Sequence, residues 1–402
     1  MKQVIVFCCA LLLISCMNDD KKLTLTAGAV MQADTLPGFC PYLTKDTKGH
    51  PVLSWVRALN DTDAIFCFAV SQDGRSFGQP ITIPSSNNIE PHSENLPKII
   101  FKPSGEIIAL WGAKSPGAPN KYAGRVFYAQ SFDDGQHWTS PKPLVSDTAG
   151  YDQRYYDIAL LPNGEAAIIW LDNRKTIDKE GSGLYLAETN GKDGFQRERL
   201  ISEPCCQCCR TDLFIDPKGA MHVLYRGIIN DSIRDMVHAV SSDAGKTFST
   251  PQRIYNDNWV IRACPHTGPA MTANANGLHF AWFTGGKPKG CFYTQSNDNG
   301  AHFANRDSIS LQGSHPQLVA LEGGDIVVVW DESVQQDNKL YKRIGIQKRN
   351  AAGVSEGKGY ITTDTGMATY PVIEPMQGKT TLIAFLQKKG EKNYINYQLV
   401  NL

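Results

Sequence analysis

What this chain of 402 residues lacks narrows the choices quickly. It has no excess of either charge, with 40 basic residues against 40 acidic ones, and no dense basic run, so nucleic acid is not expected as a partner. No long stretch repeats its apolar residues every 3.6 positions, which argues against a helical architecture. The apolar run at 4–14 is too short to cross a bilayer as a mature helix. What remains is rich in β-branched and aromatic residues and punctuated by 35 Gly and 22 Pro, an all-β composition. The body is also too long for a small disulfide scaffold and can bury a large core.

The N-terminus reads MKQVIVFCCALLLISC: one Lys, a brief apolar stretch, then Leu13-Ile14-Ser15-Cys16. These are the features of a secretory signal, and the ending resembles the bacterial lipobox, whose cysteine becomes the lipidated first residue. The expected organisation is a lipoprotein signal peptide at 1–16, a polar tether at 17–22 and a single domain at 23–402. The resemblance implies lipidation at Cys16 and a place in the bacterial cell envelope, anchored to the membrane without spanning it.

The body repeats itself. A glycine followed by an apolar strand ending in an aromatic recurs as GHPVLSW (49–55), GEIIALW (105–111), GEAAIIW (164–170), GAMHVLY (219–225), GLHFAWF (277–283), GDIVVVW (324–330) and GKTTLIAF (378–385). Seven copies at this spacing predict a repeat architecture. Between them lie turns that begin Ser71-x-Asp73, Ser131-x-Asp133, Ser241-x-Asp243 and Ser296-x-Asp298, each followed by a glycine and an aromatic. In such a turn the carboxylate accepts backbone N–H bonds and the glycine takes the left-handed position. A repeated Asp of this kind is a turn clamp, not a set of catalytic acids.

These turns resemble the Asp-box (BNR repeat) of the sialidase-like β-propellers. The expected fold is therefore all-β, a sialidase-like propeller of four-stranded blades. The repeats count to seven blades, with six as the alternative that sialidases imply. The last repeat lacks an outer strand, which the N-terminal stretch KLTLTAGAV is expected to supply.

In a propeller, the loops entering each innermost strand share one face with those after the second strand. That face gathers 36–41, 86–97, 146–157, 202–212, 256–269, 311–316 and 364–371, and with them Cys40, His92 and His315. The loop at 202–212 holds Cys205, Cys206, Cys208 and Cys209, and the adjacent one holds Cys264 and His266. Three readings stay open: disulfides in an oxidising compartment, a Zn or Cu site, and a redox pair. Eight cysteines follow Cys16, an even number, but no second separated C-x-x-C exists.

The resemblance to sialidases implies a carbohydrate-directed function, either exo-sialidase-like glycoside hydrolysis or glycan binding. A glycan or small-molecule ligand would be the partner. Sialidases need an arginine triad for a substrate carboxylate, an acid Asp and a tyrosine nucleophile. The matching candidates are Arg57, Asp61, Arg226, Arg262 and Tyr370. The first triad position, however, reads Phe39-Cys40-Pro41 and carries no arginine. The alternative function is metal binding or thiol chemistry at the cysteine loops.

Overall fold

The computed structural model describes residues 21–115, 118, 123–146, 151–174 and 180–402. Cys16 and the 1–16 segment lie outside them. Within them, seven antiparallel sheets form the blades. The innermost strands are Gly38–Lys45, Lys98–Phe101, Gln153–Leu160, Asp212–Ile215, Ala270–Asn274, Gly313–Ala320 and Ala368–Pro375, for blades 1 to 7. The inner strand of blade 7 packs against that of blade 1, closing the ring. Seven is the observed count, and the six-bladed alternative is excluded.

Blade 7 takes its outer edge from the other end of the chain. Thr26–Ala27 and Met31–Gln32 both pair with Lys392–Asn401, the chain's last strand. An otherwise exposed strand edge is thereby covered.

The repeated aromatic is the blades' shared core residue. Trp55, Trp111, Trp170, Trp282 and Trp330 are all fully buried, with Tyr225 and Phe385 in the same place in blades 4 and 7. Each indole N–H has an acceptor: Asp34, Asn88, Asp172, Asp257 and Glu332 respectively. Each tryptophan thus contributes a large apolar surface and a satisfied polar handle. The packing is close. A Cβ on Gly345 would lie 2.3 Å from the Trp330 ring, so that position has room only for glycine.

The Ser-x-Asp turns share one hydrogen-bond scheme. Asp73, Asp133, Asp243 and Asp298 each accept from the serine two residues before and from backbone N–H groups that follow. These bonds hold all four carboxyls below the usual range, that of Asp298 at about 2. Their oxygens are fully used in the turn.

One regularity shapes the other face. Four inner strands have eight residues, and in each the third residue is left-handed: Cys40, Tyr155, His315 and Tyr370, with φ from 50° to 56°. Pairing with the second strand slips at the same place in all four. This is a β-bulge, which re-aims a side chain near the rim.

Two predictions follow from this packing. Trp170→Ala removes a fully buried indole and is expected to cost about 3–5 kcal/mol in denaturant unfolding. The second concerns acid. Burial lowers His238 to about 3 and His279 to about 4, and lowers His222 as well. Their folded pKa values lie below the unfolded value of about 6.5, so the unfolded chain binds more protons as pH falls. Their contribution is complete above about pH 6.5 and is lost as pH drops towards 4 and below. Thermal melts across that window should show Tm falling, with a shallower slope in His238→Gln.

Candidate functional site

On the face where the inner strands begin, a cavity of about 480 Å³ opens between the loops of blades 2 to 5. Glu90, His92 and Asn95 come from the loop entering blade 2, and Asp152 and Arg154 from the start of blade 3. Gln207 and Cys208 come from the loop entering blade 4, and Cys264 and His266 from the loop entering blade 5. A larger concavity, about 950 Å³, lies on the opposite face among the turn residues. Its Asp73 is committed to its own turn, and its His50 is paired with Asp46, whose carboxylate also clamps the turn at 46–50.

Tyr155 is fully buried beneath the smaller cavity, behind His92 and His266, which line it. Its left-handed backbone is clamped on both sides: its N–H donates to Asn95 Oδ1 at 2.7 Å, and its carbonyl accepts from Thr211 Oγ1 at 2.8 Å. The left-handed conformation that recurs in four blades is here fixed by side chains of two neighbouring blades. The phenol Oη and His266 Nδ1 share a hydrogen bond at 3.4 Å, and the His92 ring meets the tyrosine edge to face at 5.9 Å. Burial pushes the phenol's pKa well up, so it stays neutral.

His92 is the second ordered ring. Burial, then the neighbouring His266 and Arg154, lower it to about 4, so it is neutral at pH 7. Its Nδ1 accepts the Glu94 N–H at 3.2 Å, which assigns the ring proton to Nε2. Arg154 lies 5.1 Å over the Tyr155 ring and is held by Asp152, through Nε to Oδ1 at 2.6 Å and Nη2 to Oδ2 at 2.7 Å. Nη1 has no partner among the described residues. Asp152 Oδ1 also accepts the Gly124 N–H, so this carboxylate has no free oxygen. The remaining acid, Glu90, is exposed and faces Lys114. Among the described residues, no carboxylate pair suited to glycoside hydrolysis lines this cavity.

The cysteine loop forms the cavity floor. Cys206, Cys208 and Cys209 are buried, with their sulfurs within 4.8 Å of one another. Cys205 is turned away, its thiol facing the Ser202 carbonyl. Cys264 is exposed on the wall. None of the eight cysteines in the described residues is joined in a disulfide.

The residues named for a sialidase site do not gather here. Arg57 is paired with Asp34 in blade 1, and Asp61 lines a separate concavity of about 470 Å³ beside it. Arg226 is buried behind the cysteine loop, where its guanidinium donates to the carbonyls of Arg234, Thr267 and Phe283. Arg262 is exposed on the blade 5 loop. Tyr370 stacks on His315 at 4.1 Å, and the backbone N–H of Tyr370 and Nδ1 of His315 both bond Asp331. Of the named positions, Cys208, Cys264 and His266 do share the cavity, together with His92. Sequence reading had grouped 146–157 with this face but had not singled out Arg154 or Tyr155. The available signal is positional: Cys40, His315 and Tyr370 each stand one residue before a proline in their inner strand, and Tyr155 fills the same slot.

No family model and no curated protein sequence matches the chain. Solved structures do. An ulvan lyase bound to -[GlcA(1-4)Rha3S]- aligns over 92% of this chain and 96% of its own, with 12% identity and a TM-score of 0.58. The Penicillium chrysogenum alpha-L-arabinanase complexed with arabinobiose covers 94% and 98%, at 13% identity and a TM-score of 0.52. The NanB sialidase from Streptococcus pneumoniae covers 93% and 70%, at 11% identity and a TM-score of 0.50. At these identities the likeness is one of fold. Ring, blade count and neighbours make this chain a sialidase-like β-propeller of seven blades.

Proposed function

We propose that the protein is a carbohydrate-directed enzyme that cleaves a uronate-containing polysaccharide by β-elimination in the His92–His266 cavity. The observation that carries this reading is His266, hydrogen-bonded to Tyr155 and set beside an arginine in a cavity without a free carboxylate pair among the described residues. The likeness to the ulvan lyase supports it as an analogy of fold. An arginine triad for sialidase-like hydrolysis does not assemble around the cavity, so elimination fits the residues better than hydrolysis.

Elimination needs three things: a neutralised carboxylate, a base for the proton beside it, and an acid for the leaving oxygen. Arg154 Nη1 and His92 Nε2–H are the donors for the carboxylate. His266 Nε2, on the exposed ring that lines the cavity, takes the C5 proton, C4=C5 forms as the C4–O4 bond breaks, and the imidazolium gives that proton to O4. The hydrogen bond of Nδ1 to the buried Tyr155 phenol holds the imidazole in place for both transfers.

The test is turnover of uronate-containing polysaccharides, followed by the ultraviolet absorbance of the unsaturated uronate. His266→Ala should lower kcat by about 100-fold or more with the fold intact, and Tyr155→Phe, which frees the His266 ring, should lower kcat less and leave KM unchanged. Arg154→Ala should raise KM as well. New reducing ends without unsaturated product, or full activity in His266→Ala, would refute the reading. We further propose that a lipid on Cys16 tethers the enzyme to the bacterial envelope. Metabolic labelling with a fatty acid should then mark the wild type and leave Cys16→Ala unlabelled.

A further inference from the structure

We propose that Cys206, Cys208 and Cys209 bind one zinc ion as a trithiolate site at the floor of the cavity. The inference rests on the sulfur geometry and on one buried cation. It does not depend on the elimination chemistry above.

The geometry comes first. The three sulfurs lie within 4.8 Å of one another, and Cys206 and Cys208 are 3.6 Å apart. A tetrahedral zinc with Zn–S bonds of about 2.3 Å sets its sulfurs about 3.8 Å apart, so little movement is needed to close the site. Cys205, although adjacent in sequence, faces the Ser202 carbonyl and is not a ligand. Cys208 also lines the cavity, so the trithiolate site borders it.

The charge argument is stronger. Arg226 is 1% exposed, and no carboxylate lies within ion-pair distance of it among the described residues. Its Nε instead donates to Cys209 Sγ at 3.2 Å. A guanidinium stays charged at any ordinary pH, and a buried cation without an anion is costly. A thiolate at Cys209 supplies that anion. Three thiolates around Zn²⁺ carry one net negative charge, which Arg226 cancels, whereas Cu⁺ would leave one negative charge uncancelled. Arg226 then has a definite role, that of an outer partner which orients and neutralises the ligand set.

A second, independent observation points the same way. Thr267 is 3% exposed and its Oγ1 has no hydrogen-bond partner, while its carbonyl accepts from Arg226. Gln207 Oε1, within the cysteine loop itself, is also buried without a partner. Two buried oxygens on the loops that carry the thiols and Arg226's acceptor are thus left without a protein partner.

The experiment is metal analysis of the full chain, exported and purified without chelator, combined with native mass spectrometry. One zinc per chain is expected, falling at least tenfold in Cys208→Ser and retained in Cys205→Ser. Cobalt exchanged into the wild type should give an intense thiolate-to-cobalt charge-transfer band, a readout that survives even if Cys208→Ser folds poorly. A metal-free wild type about 2 Da lighter per cysteine pair would overturn the proposal in favour of disulfides. Copper in place of zinc, or full zinc content in Cys208→Ser, would overturn it equally.

Discussion

The buried carboxylate of Glu94 holds the site together. It is 1% exposed and connects three blades: Oε1 accepts from Arg210 at 3.2 Å, and Oε2 accepts the Gly268 N–H at 2.8 Å. Its own N–H donates to His92 and sets that ring's tautomer. Arg210 follows Cys209 directly, and Gly268 lies two residues after His266. One ion pair therefore indexes the histidine of blade 2, the cysteine loop of blade 4 and the histidine loop of blade 5 to each other. A buried ion pair adds little net stability over an apolar replacement, but breaking it is severe, because one charge is left unpaired. Its value here is positional. Even the glycine is constrained, since a Cβ at 268 would lie 2.4 Å from Cβ of Arg210.

The propeller divides its labour between faces. On the turn face, repeated aspartates are consumed by their own backbone bonds and are structurally rigid. On the other face, bulges with left-handed residues break the regular pairing, and side chains of differing chemistry occupy equivalent slots. Cys40, Tyr155, His315 and Tyr370 stand at one structural position in four blades. The scaffold thus offers the same projecting site repeatedly, and the loops around Tyr155 equip it with two histidines and an arginine. The polar partners of Tyr155 come from blades 2 and 4, so its geometry is set by the ring and not by its own strand.

Much of the fold was legible from residues alone. Each blade must bury an aromatic at the end of its second strand and turn on a glycine before it, so both leave a period in the sequence. The closing strand was legible because the last repeat lacked an edge. The site was legible only in part. The loops carrying His92, Cys208, Cys264 and His266 could be assigned to one face by topology. Tyr155 could not be singled out, because its role comes from a left-handed backbone that a tyrosine does not announce. Arg226 looked like a substrate anchor, yet three carbonyls and a sulfur converge on it in space. That convergence has no sequence signature.

The central claim is that the cavity indexed by Glu94 is where a uronate binds. The most direct measurement is a crystal structure of Tyr155→Phe with a uronate-containing oligosaccharide. The account predicts the sugar carboxylate against Arg154 Nη1 and His92 Nε2, with the scissile bond beside the His266 ring. An oligosaccharide seated instead in the concavity beside Asp61, or on the turn face, with the His92 cavity empty, would contradict it.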